Sequence, residues 1–174
     1  MTVPSVPNYV YRDTSLVIAT IVPGLPHARA SDAFCTQLAH QGSRIGFSQI
    51  LRLELSRAIR NLASRRGQLP LNTQQSYRLD EWDTNVAVRQ RWMTAGRQKF
   101  EAFLDRFDGV AELPFHTAIW EQSVAIMALR QLRSLDAVHV ATAHAYGLRH
   151  FATLDDDFNR VQNLHIWLIR DGMA

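Results

Sequence analysis

Apolar residues follow two rhythms along this chain, and their alternation predicts its architecture. Short apolar runs bounded by turn residues read as strands at 9–12, 44–47, 109–113, 150–154 and 165–169. Between them apolar residues recur every three or four positions, which predicts helices over 14–20, 28–40, 48–64, 116–132 and from Asp136 to the Gly147 break. Gly42 stops the second helix, while Pro23, Gly24 and Pro26 mark a turn and Pro114 ends a strand. Residues 67–77 read as a polar loop. A longer helical region follows from Leu79 to Phe107, where Trp82, Val86, Met93, Phe100, Phe103, Leu104 and Phe107 keep helical spacing and Gly96 is a point of division into two helices. Strands alternating with helices argue for an α/β fold. The expected form is a three-layer α/β/α sandwich on a mainly parallel sheet of four to five strands, with an inserted helical region. The 174 residues fit a single domain over 1–174, with 66–107 as its loop and extended helical part.

Charge changes this picture more than composition does. With 47% hydrophobic and 20% charged residues the chain is ordinary globular material. Its net charge is +3, but nine basic residues and three acids lie between Arg57 and Lys99, so that segment carries +6 and the rest carries −3. A basic segment on an acidic body is the footprint of a phosphate-backbone contact, and equally of a solvated arginine-rich helix face. Cys35 is the single cysteine, which excludes an internal disulfide, suits a reducing compartment and fits a packing role. No apolar run approaches the ~18 residues of a membrane span. Residues 1–8 show no basic stretch ahead of an apolar run, so the expectation is a cytoplasmic protein without a signal peptide.

Four acids stand apart from the surface charge. Asp13 and Asp155 each follow a strand, at the sheet edge where open α/β folds bind ligands. Asp136 opens a helix, where the backbone dipole favours a carboxylate. Glu54 lies on the apolar stripe of its helix between Leu51 and Ala58, where a carboxylate demands a cation, a hydrogen-bond donor or a metal. Each has an ordinary alternative. Asp13 and Asp136 would serve as helix caps, and Glu54 as the ion-pair partner of Arg52 or Arg57. If the acids converge, a hard divalent cation would offset their repulsion. Arg12 is out of place in a strand and is expected to face a partner or solvent. Asp157 reads as a cap before Phe158, and His139 and His144 as packing or supporting residues, because nothing completes a zinc set.

The pieces Tyr-Arg-Asp-Thr-Ser-Leu-Val-Ile (11–18), Ser-Gln-Ile-Leu-Arg-Leu-Glu-Leu (48–55), Leu-Asp-Ala-Val-His-Val-Ala-Thr-Ala (135–143) and Thr-Leu-Asp-Asp-Asp-Phe (153–158) occur in the order found in one family. The sequence resembles the PIN-domain ribonucleases, and particularly the VapC toxins of bacterial toxin–antitoxin pairs. The resemblance implies a PIN-like sandwich and hydrolysis of RNA phosphodiesters with Mg²⁺ or Mn²⁺. It carries the catalytic and metal-binding roles onto Asp13, Glu54, Asp136 and Asp155. Asp13, Asp136 and Asp155 would anchor the cation while Glu54 binds a water or positions the nucleophile, with Thr14 or Ser15 and Thr153 hydrogen-bonding in support. The basic segment, including Arg57, Arg60, Arg65 and Arg66, would hold the RNA backbone. A homodimer and a small antitoxin protein are the implied partners. Two departures from the family's pattern are Arg12, where an apolar residue is usual, and the length of the 57–107 region. The competing readings are a PIN-like binding module without cleavage, and a nuclease of RNA processing or of DNA that is no toxin.

Overall fold

The computed structural model describes residues 7–66, with only the backbone of 63–66, and residues 85–171. Five strands, β1 (Tyr9–Arg12), β2 (Arg44–Ser48), β3 (Val110–Leu113), β4 (His150–Thr153) and β5 (His165–Leu168), form one sheet in the order β3-β2-β1-β4-β5. Every pairing is parallel. Six described helices connect them: α1 (Thr14–Ile21), α2 (Ala28–His40), α3 (Ile50–Arg66), α4 (Val86–Leu104), α5 (Thr117–Arg130) and α6 (Ser134–Ala145). A 3₁₀ turn over Asp156–Arg160 lies between β4 and β5.

That order makes β1 and β4 the point where the chain reverses its direction of travel across the sheet, which is where open parallel sheets bind ligands. Tyr11 is in register with Phe151, and Arg12 with Ala152. The residues that follow these strands therefore leave one rim side by side.

Alternation along the strands divides the core into two layers. Val10, Ile45, Phe47 and Ala152 pack with buried residues of α1 to α4, including Leu16, Leu38, Leu51 and Phe100. Tyr11 and Phe151 face the opposite way, onto Ala137, Val140 and Phe158. The three-layer sandwich read from the sequence is thus the observed architecture, and its sheet is wholly parallel. Gly147 ends α6 at φ +67, with its own N–H on the His144 carbonyl (3.0 Å) and that of Leu148 on the Ala143 carbonyl (2.9 Å). Such a left-handed cap is the glycine stop that the sequence predicts.

Two expectations about local structure need correcting. Gly96 does not divide the long helix, because α4 runs through it without a break. A methyl group there would stand 2.1 Å from Ile59 Cδ1, so the glycine exists to let α3 and α4 approach. Asn85 caps α4, accepting from the N–H groups of Ala87 (3.0 Å) and Val88 (3.3 Å). The loop at 67–77 and the helical reading before Asn85, including Trp82, lie outside the described residues.

Arg12 faces neither solvent nor a partner. It is 1% exposed, and its guanidinium lies 4.2 Å from the Phe107 ring centroid and 5.1 Å from that of Phe103. The pleat turns it opposite to Tyr11, into the layer where α4 supplies aromatic faces. Among the described residues, no helix is long and apolar enough to cross a membrane.

Candidate active site

Asp13 is the centre of the rim. As the residue before α1 it accepts from the Leu16 N–H (3.1 Å), so the capping reading holds. It does more than cap. Ser15 Oγ donates to both of its carboxylate oxygens (3.0 and 2.8 Å), and Thr153 Oγ1 donates to Oδ2 from the end of β4 (2.8 Å). Thr153 in turn accepts from the Asp155 N–H (3.0 Å), and Ser15 accepts from that of Leu154 (3.1 Å). Two strand ends are therefore laced together through the hydroxyls that the sequence singles out. Burial pushes the Asp13 carboxyl up, and the charge of His139 together with this set of donors only partly offsets it.

Asp155 caps the 3₁₀ turn, accepting from the Asp157 N–H (2.9 Å). The cap is therefore Asp155 and not Asp157, since the turn already begins at Asp156. Asp157 pairs with Arg160 (2.7 Å) and Asp156 with Arg170 (2.8 Å). Both extra carboxylates are thus drawn off by arginines.

Asp136 lies in the first turn of α6, and its Oδ2 is buried without a hydrogen-bond partner among the described residues. Its carboxyl is pushed up to about 6 by burial first, then by the charges of Asp155 and Asp13, against the pull of His139 and Arg133. The charges of Asp155 and Asp13 register on Asp136 because the three aspartates share the rim.

Glu54 comes from α3, and its partners are not the arginines next to it in sequence. Arg52 is occupied by Glu101 (3.0 Å) and Glu112 (2.9 Å). Arg57 is exposed and acts on Glu54 only through its charge. Glu54 Oε2 accepts from His139 Nε2 (2.6 Å) and from the Thr14 hydroxyl. Burial opposes its ionisation, but the hydrogen bond and charge of His139, with the Thr14 hydroxyl and the charge of Arg57, together outweigh it and hold the carboxyl below the usual value. His139 is itself fixed from behind, with Nδ1 2.7 Å from the Tyr11 hydroxyl. The Tyr11 oxygen also accepts from the Ser48 N–H (3.2 Å). Burial keeps the Tyr11 phenol well above its ordinary value.

The sequence reading missed Tyr11 as a site residue and gave His139 a packing or supporting role, of which the structure shows the supporting one. A signal for both was present. Tyr11 is two residues before Asp13 on a strand, and His139 is three after Asp136 on a helix, so each shares a face with a rim acid.

The donor set suits a hard divalent cation: carboxylates only, one of them with an unpartnered buried oxygen, in mutual repulsion. Among the described residues, no three His, Cys, Asp or Glu side chains are gathered closely enough to hold a metal ion. Arg57 and Arg60 are exposed on α3, one and nearly two turns past Glu54. The side chains of Arg65 and Arg66 lie outside the described residues.

A wholly parallel five-stranded sheet with carboxylates at its switch point defines an α/β/α protein of the PIN class. The PIN domain family model matches residues 10–164, and the chain belongs to that family, whose members are hydrolases acting on nucleic acids. Among solved structures it is similar to a chain of VapBC2 from Rickettsia felis bound to a DNA fragment from their promoter. That match has a TM-score of 0.59 at 15% identity and covers 92% of this chain and 98% of the other. FitAcB from Neisseria gonorrhoeae gives 0.57 at 15% identity over 91% and 96%. Both are likenesses of fold. Among curated proteins none matches at a significant level.

Proposed function

We propose that this protein is a metal-dependent endoribonuclease, acting in the cytoplasm as the toxin of a toxin–antitoxin pair. The observation that carries the reading is Asp136, whose buried Oδ2 lacks a partner among the described residues while Asp13 and Asp155 repel its charge. A carboxylate set under that strain at a sheet's ligand-binding rim suits a cation better than it suits stability.

Asp13, Asp136 and Asp155 would hold Mg²⁺ or Mn²⁺ once the cation draws them closer than their metal-free spacing. When bound, such an ion supplies positive charge to the phosphoryl oxygens and acidifies a water at neutral pH. The chain's own groups do the rest. The Ser15 and Thr153 hydroxyls hold Asp13 in one orientation at the end of β1. Glu54, kept ionised by its hydrogen bonds, orients the attacking water and accepts its proton. Arg57 and Arg60 attract the ribose-phosphate backbone toward the rim, with Arg65 and Arg66 continuing the basic run in sequence. The assignment of a small antitoxin as partner draws support from the likeness to VapBC2 and FitAcB, each a two-component complex by name, and a second copy of this chain is the other proposed partner.

The test is cleavage of a mixed RNA panel, transfer and ribosomal RNA included, by the native protein and its Asp13→Asn variant with Mg²⁺, Mn²⁺ or EDTA. Metal-dependent cutting that the variant loses supports the nuclease. A folded native protein that binds RNA without cutting it turns the reading to a binding module, and cutting of DNA alone turns it to a DNA nuclease.

A further inference from the structure

Beneath the acidic rim runs a buried chain of hydrogen bonds that the four carboxylates do not require. It begins at the Ser48 N–H, passes through the Tyr11 hydroxyl to His139 Nδ1, and leaves from His139 Nε2 to Glu54 Oε2. Tyr11 is fully buried and His139 is 1% exposed, so neither touches a substrate. Their elements differ, with Tyr11 on β1, His139 on α6 and Glu54 on α3. The chain thus ties the sheet to one helix in each flanking layer.

We propose that Tyr11 and His139 are positioning residues, which clamp Glu54 by one oxygen so that only its other oxygen serves the reaction. Both donors to Glu54, His139 Nε2 and the Thr14 hydroxyl, fall on Oε2. Among the described residues, no hydrogen bond is made to Oε1. An ionised carboxylate only accepts, so the 2.6 Å contact requires the imidazole proton on Nε2. With the ring neutral, that leaves Nδ1 to accept from the phenol, which has one proton to give at 2.7 Å. The ring cannot turn over without losing both bonds. A carboxylate with one oxygen so engaged is a poor bidentate ligand and a well-aimed acceptor for a water. Glu54 therefore orients the nucleophile, while the aspartates carry the cation. Groups that orient a ligand in this way fix its angle as much as its charge, and their loss typically lowers activity ~10- to 100-fold.

This inference rests on the nuclease reading, and its test separates the two. Side-chain nitrogen NMR on metal-free native protein and on Tyr11→Phe reads the clamp without any reaction. The proton of His139 is expected on Nε2, and the Nδ1 signal is expected to move toward that of a free acceptor in Tyr11→Phe. Cleavage kinetics then compare His139→Met, which fills the site without a donor, with His139→Gln, whose amide N–H can still reach Glu54. His139→Met is expected to lose about 10- to 100-fold in kcat with KM for RNA within about twofold, and His139→Gln to recover most of that. A proton on Nδ1 alone, an Nδ1 signal indifferent to Tyr11→Phe, or a His139→Met enzyme with native kcat would overturn the proposal. If the native protein cuts no RNA, the nuclease reading fails while the NMR result still decides the clamp. Should His139→Met not fold, the native spectrum and the Tyr11→Phe comparison stand by themselves.

Discussion

The Arg12 guanidinium stacks 4.2 Å from the ring centroid of Phe107, buried, with Nε and Nη2 lacking any hydrogen-bond partner among the described residues. Nη1 reaches only Cys35 Sγ, at 3.5 Å. Burial lowers its pKa to about 10, which still leaves it charged at neutral pH. Two ring faces offset part of the desolvation cost, roughly 2 kcal/mol each at best, but two orphaned nitrogens and the lack of a counter-ion among the described residues stand against them. Replacing Arg12 with Met, which keeps the length and removes the charge, is expected to stabilise the protein by about 1 kcal/mol. Urea unfolding checks this, and a loss of more than about 2 kcal/mol would show that the cation is a net support of the fold.

Asp136 makes stability depend on pH in a defined direction. Its folded-state value of about 6 lies above the ordinary 3.8. Between those two values the native state keeps a proton that the unfolded state has released, so the metal-free protein loses stability as pH rises from roughly 4 to 6. The penalty is full above that window. Because the group is only half-buried, the effect is discounted to about 1 kcal/mol at pH 7. Asp136→Asn should therefore raise the melting temperature at pH 7 by a few degrees while abolishing cleavage. Equal melting temperatures for the two proteins at pH 7 in EDTA would remove the strain argument.

Asp13→Asn keeps a carbonyl oxygen at the Oδ1 position for the Leu16 N–H, so α1 should remain capped, while its amide nitrogen replaces the Oδ2 that accepts from Thr153. Folding is expected to change little. Removing the charge from the rim is expected to lower RNA cleavage by about 100-fold or more. A variant that retains a tenth of native activity would move the reacting centre elsewhere.

At Gly96 the expectation is steric. An alanine methyl would meet Ile59 Cδ1 at 2.1 Å and Cγ1 at 2.9 Å, and the second of these atoms cannot swing away by a simple end rotation. Overpacking costs typically 1–3 kcal/mol, against a gain of about 1 kcal/mol in helix propensity. Gly96→Ala should destabilise by about 1 kcal/mol, and adding Ile59→Val should recover part of the loss. Thermal unfolding of the single and double variants measures both.

The exposed arginines of α3 give a prediction about salt. If Arg57 and Arg60 contact RNA phosphates, changing both to Ala should reduce the slope of log affinity against log salt by about 1.4, roughly 0.7 for each contact on a single strand. Fluorescence anisotropy at several salt concentrations reads the slope. An unchanged slope would assign these side chains to the solvated face that the composition equally allows.

The sequence by itself determined the elements and the chemistry available to them. The rhythm of apolar positions specified five strands and most helices, because burial of one face imposes a period that survives in the chain. It also marked Asp13 and Asp155 as acids after strands and Glu54 as a carboxylate on an apolar stripe, since each breaks a local rule. What only the tertiary structure decided is which groups meet. No spacing reveals that β1 lies beside β4, yet that pairing brings Thr153 to Asp13 across 140 residues. Likewise Glu54 finds His139 and not Arg52, because the packing of α3 and α6 beside β1 sets distances that sequence separation does not. Arg12 shows the same limit from the other side: a strand position fixes which face a side chain takes, but only the opposing layer, here the aromatics of Phe103 and Phe107, determines whether that face can receive a charge.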